Sequence, residues 1–129
     1  MKVSDYMSRD PVTIPADANY ADAFRIFETG RLHHLPVVDA DGRIVGIVTL
    51  RDLQLASRVF REAPVEVSEI MHEQLVSVDP DSSLDQAAAR MIDARVGCLP
   101  VMEDGARLVG MLTETDLLHA LRDLLREAG

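Results

Sequence analysis

Tryptophan is absent from the 129 residues, cysteine occurs once, and aromatic residues make up 4% of the chain. A core built from this composition must be largely aliphatic. The single thiol, Cys98, closes no intrachain disulfide, which excludes a disulfide-stapled scaffold and agrees with a reducing compartment. Seven glycines and six prolines are too few for a fibrous chain. No apolar run approaches the roughly 20 residues that span a bilayer. The start, Met1-Lys2-Val3-Ser4-Asp5, lacks a secretory apolar stretch, so a cytoplasmic address is expected. Positive charge is scarce too: 13 Lys and Arg stand against 22 Asp and Glu, a net charge of −9. Broad electrostatic capture of nucleic acid or of an anionic membrane is thereby disfavoured. A small anionic ligand held by a few local cations and backbone N–H groups is not. What the chain has in quantity is apolar side chains, 47% of the total, enough for a real core.

The chain is written twice. Shifted by 64 residues, Val3 to Leu53 aligns without a gap on Val67 to Leu117, and 16 of the 51 positions are identical. Val3-Ser4-Asp5-Tyr6-Met7 answers to Val67-Ser68-Glu69-Ile70-Met71, Leu35-Pro36-Val37 to Leu99-Pro100-Val101, and Val45-Gly46 to Val109-Gly110. Thr49-Leu50-Arg51-Asp52-Leu53 recurs as Thr113-Glu114-Thr115-Asp116-Leu117. One supersecondary unit used twice explains such a register. The repeats are bounded as 1–63 and 64–129. Units of this size are marginal alone, so the two are expected to bury each other's apolar faces about an approximate twofold axis.

Each copy predicts the same elements. A short helical turn follows Ser4 or Ser68, both N-cap candidates, and a short strand follows at Val12-Thr13-Ile14 or Val76-Ser77-Val78. Asp17 and Asp81 are capping candidates for the next helix. Its core stripe is Tyr20, Ala23, Phe24 and Phe27, or Leu84, Ala87, Ala88 and Met91, at the i, i+3, i+4, i+7 spacing of an amphipathic helix. Leu35–Val38 and Ile44–Val48 flank Asp41-Gly42, and Cys98–Met102 and Leu108–Leu112 flank Asp104-Gly105. Asp-Gly between apolar runs signals a hairpin, and its one-residue offset between copies predicts two turn types. A last helix begins at Thr49 or Thr113, with Leu117, Leu118, Leu121, Leu124 and Leu125 apolar in the second copy. Residues near 62–66, with Pro64 as a helix stop, read as the link. The fold class is α/β (α+β), helices layered on small sheets.

The β-α-β-β-α order, with Leu35-Pro36-Val37-Val38-Asp39 opening the hairpin and Gly46-Ile47-Val48-Thr49-Leu50-Arg51-Asp52-Leu53 closing it, resembles the CBS domain (named after cystathionine β-synthase). About residues 3–125 look like a tandem CBS pair packed with pseudo-twofold symmetry.

The Thr-x-x-Asp pairs have two readings. One is a helix capping box, although such boxes favour Glu or Gln where both copies carry Asp. The other is ligand recognition: a helix N-terminus offers free N–H donors and a positive dipole end to phosphate, and an adjacent carboxylate accepts both hydroxyls of a ribose. The resemblance implies that Asp52 with Thr49, and Asp116 with Thr113 and Thr115, hold ribose or phosphate. A turn near residues 40–42 places His33 and His34 roughly opposite Val48 and Thr49, so that Arg31, His33, His34 and Arg51 converge beside the helix start. Copy two has Arg95, Gly97, Cys98 and Thr115 at those positions, which predicts a weaker hold on phosphate. Cys98 itself reads as a small buried hydrophobe. His72 and His119 have no partner suggested by spacing and are assigned to the surface. The resemblance further implies an adenine pocket walled by Val12, Thr13, Ile14, Pro36 and Val37, and by Val76, Ser77, Val78, Pro100 and Val101.

No Walker-type loop, no G-x-G-x-x-G after a strand, no familiar Ser-His-Asp order and no paired metal motif is present. Catalytic residues, a metal site and an obligatory cofactor are therefore not expected. The expected function is regulatory: adenosine nucleotides such as AMP, ADP or ATP bind in the cleft between the repeats and the change in shape is signalled to a regulated protein. S-adenosylmethionine and dinucleotides belong to the same ligand class. The alternative is a ligand-free interaction or dimerisation module with vestigial pockets. A homodimer is expected in both cases, with Leu50, Leu53, Leu55, Val59 and Phe60 as candidate contacts or, equally, as the packing surface between the repeats, and neither nucleic acid nor membrane as a partner.

Overall fold

The computed structural model of the chain describes residues 1–30, 32–59, 65–105 and 107–129, excepting the side chains of Arg58 and Val59. In chain order the elements are α1 (Val3–Tyr6), β1 (Ser8–Arg9), β2 (Ile14–Pro15), α2 (Tyr20–Gly30), β3 (His34–Val38), β4 (Ile44–Thr49) and α3 (Leu50–Val59). A 3-10 turn (Val67–Glu69), α4 (Leu84–Ala94), β5 (Cys98–Glu103), β6 (Arg107–Thr113) and α5 (Glu114–Ala128) complete the chain. The fold is mixed α+β, with two small sheets.

The two hairpins form where the apolar runs and Asp-Gly turns place them. β3 pairs antiparallel with β4, and β5 with β6. Their turns differ as the offset predicts. In the first, the Asp39 carboxylate accepts the N–H groups of Asp41 and Arg43, and only Gly42 is left-handed, at φ 80°. In the second, Asp104 (φ 55°) and Gly105 (φ 71°) are left-handed in succession, the backbone that favours these residue types.

Compact units and sequence repeats are offset. One unit comprises Val12–Leu75, the other Met1–Pro11 together with Val76–Gly129. In the second unit β1 lies against β6, Ser8 opposite Met111. In the first, His72 forms an isolated antiparallel bridge with Ile47 of β4. Each repeat's entry segment thus completes the sheet built on the other repeat's hairpin. Glycine makes the approach close enough: a Cβ at Gly46 would lie 2.9 Å from the His72 carbonyl oxygen and 2.5 Å from Met71 Sδ. At Gly110 it would lie 2.8 Å from the Ser8 carbonyl oxygen and 2.7 Å from Met7 Sδ.

Each unit has its own aliphatic core. Ile14, Ala23, Phe27, Leu35, Val37, Val48, Leu53 and Val67 fill one. Val3, Val78, Leu84, Ala87, Met91, Leu99, Val101, Leu112 and Ala120 fill the other. The helix stripes predicted from sequence point inward, with Tyr20, Phe24 and Ala88 half-buried at their edges. The Tyr6 hydroxyl donates to Asp123 at 2.7 Å and ties α1 to α5.

Several local expectations are corrected. Ser4 and Ser68 lie inside their short helices; the N-caps are Lys2 and Glu66, whose N–H groups donate to Asp5 and Glu69 three residues on. Asp17 and Asp81 do not cap: the Asn19 side chain accepts the Asp22 N–H at 2.9 Å, and Ser83 accepts that of Gln86 at 3.1 Å. A cap must sit next to the first turn, and both helices begin two residues later than an aspartate cap requires. Val12 and Thr13 are outside β2, and only Val78 of the second predicted strand makes a bridge, to Val101. Leu53 is fully buried and unavailable to a partner. Leu50 is half-buried, Leu55 is exposed, and the Val59 side chain and Phe60 lie outside the described residues. So does most of the predicted link, including Pro64.

Gly46→Ala and Gly110→Ala are each expected to destabilise the protein by roughly 1–3 kcal/mol, because the obstructing carbonyls are fixed by backbone pairing. Gly97→Ala is the control: its nearest neighbour is the flexible end of Glu114 at 3.1 Å, and its cost should be much smaller. Urea unfolding of the three variants measures the difference.

Candidate functional site

At the open end of the first hairpin, His34 stands opposite Thr49. The Leu50 N–H donates to the His33 carbonyl at 3.1 Å as β4 turns directly into α3. Thr49 and Asp52 then lock the helix start reciprocally. The Asp52 N–H donates to Thr49 Oγ1, and the Thr49 N–H to Asp52 Oδ2, both at 3.1 Å. The acid sits at the position where a capping box needs it, and the shorter Asp reaches.

A third group arrives from an element that sequence reasoning left aside. His72 Nε2 lies 3.0 Å from Asp52 Oδ2. The imidazole is mostly exposed at 65%, whereas the carboxylate is only 19% exposed. His72 is carried there by its backbone: Ile47 donates to the His72 carbonyl at 3.0 Å and the His72 N–H returns to Ile47 at 2.8 Å. The surface assignment of His72 without a partner is therefore corrected. The available signal was Gly46, since a glycine in a strand interior marks a close backbone approach. His33 and Arg51 are exposed, His34 is half-buried, and Arg31 lies outside the described residues.

The second unit repeats the backbone and changes the side chains. Cys98 stands opposite Thr113, and the Glu114 N–H donates to the Gly97 carbonyl at 3.1 Å. Asp116 Oδ2 accepts the Thr113 N–H at 2.8 Å and the Thr113 hydroxyl at 3.2 Å. Here the hydroxyl donates to the carboxylate, the reverse of its role in the first unit. Ser8 takes the repeat position of His72. Thr115 is exposed, and so is Arg95, which forms the left-handed C-cap of α4 at φ 57°. The Glu114 carboxylate lies beside Gly97. It also affects Cys98, whose thiol is pushed up to about 12, first by burial and then by the Glu114 charge. Cys98 is buried and inert, as its reading from sequence holds.

Most of the expected adenine wall is core. Ile14, Pro36, Val37, Val78, Pro100 and Val101 are buried, so their side chains face apolar neighbours and only their backbones remain for recognition. Val12 and Thr13 are exposed, and Val76 and Ser77 half-buried. The Ser77 carbonyl already accepts a hydrogen bond from the Arg90 guanidinium. Parallel pairing sets Ile14 at Val37, three residues, or roughly 10 Å, along β3 from His34. A cavity of about 320 Å³ occurs in the second unit at the turn end of its hairpin, beside Ser4, Arg9, Asp10, Glu103 and Arg107, away from Thr113 and Asp116. Among the described residues no cluster of His, Cys, Asp and Glu could hold a metal ion, and no helix is long and apolar enough to cross a membrane.

The CBS domain family matches residues 3–58 and again 67–123. The chain belongs to this family, as a pair of CBS domains. It is 36% identical over 134 residues to a CBS domain-containing protein of Dictyostelium discoideum, covering 95% of this chain and 92% of that protein. A crystal structure described as an acetoin utilization protein (AcuB) from Vibrio cholerae is similar at TM-score 0.89 and 34% identity, over 99% of this chain and 96% of that one. The CBS domain pair of protein MJ0100, solved with 5′-methylthioadenosine and S-adenosyl-L-methionine, is similar at TM-score 0.86 and 28% identity, over 95% and 97% of the two chains. Enzymes are also similar, but over a small part of their length. An L-aspartate semialdehyde sulfurtransferase of Methanocaldococcus jannaschii is 29% identical, and the chain spans 22% of it.

Cys98 supplies a direct check of burial at the second helix start. An ordinary thiol is partly ionised at pH 8, whereas one at about 12 is not. Native protein should react with a disulfide reagent at pH 8 far more slowly than urea-unfolded protein. Because the folded pKa is the higher one, the linked stability is complete below pH 9 and is lost as pH rises toward 12.

Proposed function

We propose that this chain is a regulatory module that binds adenosine-containing ligands at the helix starts marked by Thr49-Asp52 and Thr113-Asp116. The observation that carries the proposal is the repetition of one polar geometry in both units: a half-buried aspartate, held by the N–H of the threonine three residues earlier, at the N-terminus of a helix that follows a hairpin. An ionised aspartate has two oxygens and about four lone-pair sites. The bonds described on Oδ2 leave Oδ1 for one sugar hydroxyl, and the other hydroxyl needs a place on Oδ2. The similarity to a pair solved with methylthioadenosine and S-adenosylmethionine supports a nucleoside as the common chemical element. AMP, ADP and ATP are the phosphate-bearing members of that class, and no obligatory cofactor is required.

The residues proposed for ribose and phosphate are Thr49, Asp52, Arg51, His33, His34 and Arg31 at the first start, and Thr113, Asp116, Thr115 and Arg95 at the second. Adenine is read by backbone groups of 12–14, 36–37, 76–78 and 100–101, because the larger side chains there belong to the cores. The module works without catalysis, in the cytoplasm. Binding biases it between conformations only by the ligand's preference for one of them, and a regulated protein reads the result. Asp52→Asn and Asp116→Asn should each cost roughly 1 kcal/mol or less of stability. In the unmodified protein AMP, adenosine or S-adenosylmethionine should raise the melting temperature by several degrees at saturation. The double Asn variant should lose that rise. An unmodified protein unmoved by all three ligands would sink the reading.

A ligand-free interaction module is the second reading, favoured by the apolar surface of α5. Leu118, Leu121, Leu124 and Leu125 are 49–63% exposed on that helix, more than scattered surface leucines explain. The same surface suits a homodimer in either reading. Leu118→Glu with Leu125→Glu should turn a dimer into a monomer in sedimentation analysis. A pair of variants that sediments as the parent does would remove α5 from the contact.

A further inference from the structure

Asp52 Oδ2 accepts the Thr49 N–H and lies 3.0 Å from His72 Nε2. The backbone bond and the imidazole together cover that oxygen, one of the two an aspartate offers. The Thr49 bond belongs to the helix cap and stays. A ribose that grips the carboxylate through both of its hydroxyls needs both oxygens, and so it must take the place of His72. Asp116 Oδ2 accepts both the N–H and the hydroxyl of its own Thr113, of which the hydroxyl can rotate away in place, and Ser8 rather than an imidazole occupies the repeat position of His72.

We propose that His72 is a built-in competitor for the Asp52 carboxylate, a pH-sensitive latch brought from another segment of the chain that an adenosine ligand displaces at the first helix start, whereas the second start has no equivalent imidazole. This rests on the proposed ribose-binding role of Asp52. Release is easy for the imidazole side chain, which is 65% exposed, while its backbone stays fixed on Ile47. A protonated imidazole holds a carboxylate more strongly than a neutral one, so the latch tightens toward acid pH. The other titratable or charged groups at this end are His33 and His34 leading into β3, Arg51 in the first turn of α3, and Glu73 next to His72. Their cations would strengthen phosphate binding as pH falls, the opposite sign.

Adenosine separates the two effects, because it has a ribose and no phosphate. The test is titration calorimetry with adenosine from pH 6 to pH 8 in an Asp116→Asn background, which isolates the first site. The latch predicts affinity that rises with pH, and His72→Ala binding roughly two- to fivefold tighter at pH 6, the scale of a mostly exposed ion pair. His72→Gln, a donor that does not titrate, should flatten the pH profile. In NMR, saturating adenosine should move the His72 ring signals to the positions they take in ligand-free Asp52→Asn. Adenosine bound equally by His72→Ala and its parent at pH 6, or with an unchanged pH slope, overturns the latch and leaves ribose binding standing. If neither adenosine nor AMP binds the parent or the variants, the ribose-binding role fails, and the latch with it.

Discussion

One backbone pairing governs the Asp52 end of the molecule: Ile47 and His72 exchange N–H···O bonds of 3.0 and 2.8 Å across a strand with glycine at position 46. A four-residue helix such as α1, or a three-residue 3-10 turn, is too short to persist on its own local bonds. Each entry segment is held instead by burying Val3 or Val67 completely and by joining the edge of a sheet. The glycine sets the depth of that approach, and Met7 or Met71 packs over it. Remove the approach and the imidazole leaves Asp52. The chemistry of the helix start is therefore a consequence of a packing arrangement in a different stretch of chain.

That dependence marks the limit of what was legible beforehand. The 64-residue register, both Asp-Gly hairpins and the apolar stripes of α2 and α4 rest on periodicities long enough to read, and the structure contains them. The Thr-x-x-Asp pairs were legible as helix starts because the motif is local. The entry segments were not, since a two-residue strand has no period and its partner lies dozens of residues away. The caps of α2 and α4 were misplaced by two residues because Asp17 and Asn19, or Asp81 and Ser83, are all competent cap types. Leu53, a candidate contact in the sequence, fills the first unit's core with Leu35, Val37 and Val48, because its side of α3 faces the sheet. His72 was missed for the same reason as its strand, and only the mid-strand glycine hinted at it.

Capping and recognition are compatible at Asp52 and Asp116. A carboxylate that swings freely must be ordered when a ligand arrives, and that ordering is charged against affinity. Fixing Oδ2 on the threonine N–H meets the ordering cost during folding, at the place where a negative side chain is already favoured by the helix dipole. The cap also explains why Asp suits better than Glu here: the shorter side chain has fewer torsions left to freeze. A structural reason for the residue is thus no argument against a functional one.

What separates the two starts is the charge around a shared backbone. The first has imidazoles at 33, 34 and 72 and a guanidinium at 51; the second has Gly97, Cys98, Thr115 and a carboxylate at 114. A carboxylate repels a nearby anion, and solvent weakens the effect where the group is exposed. If the two starts bind nucleosides as proposed, this contrast makes phosphate less welcome at the second than at the first. Duplication supplied two equivalent positions for a carboxylate, and the residues around the Thr and Asp of each motif differ in charge.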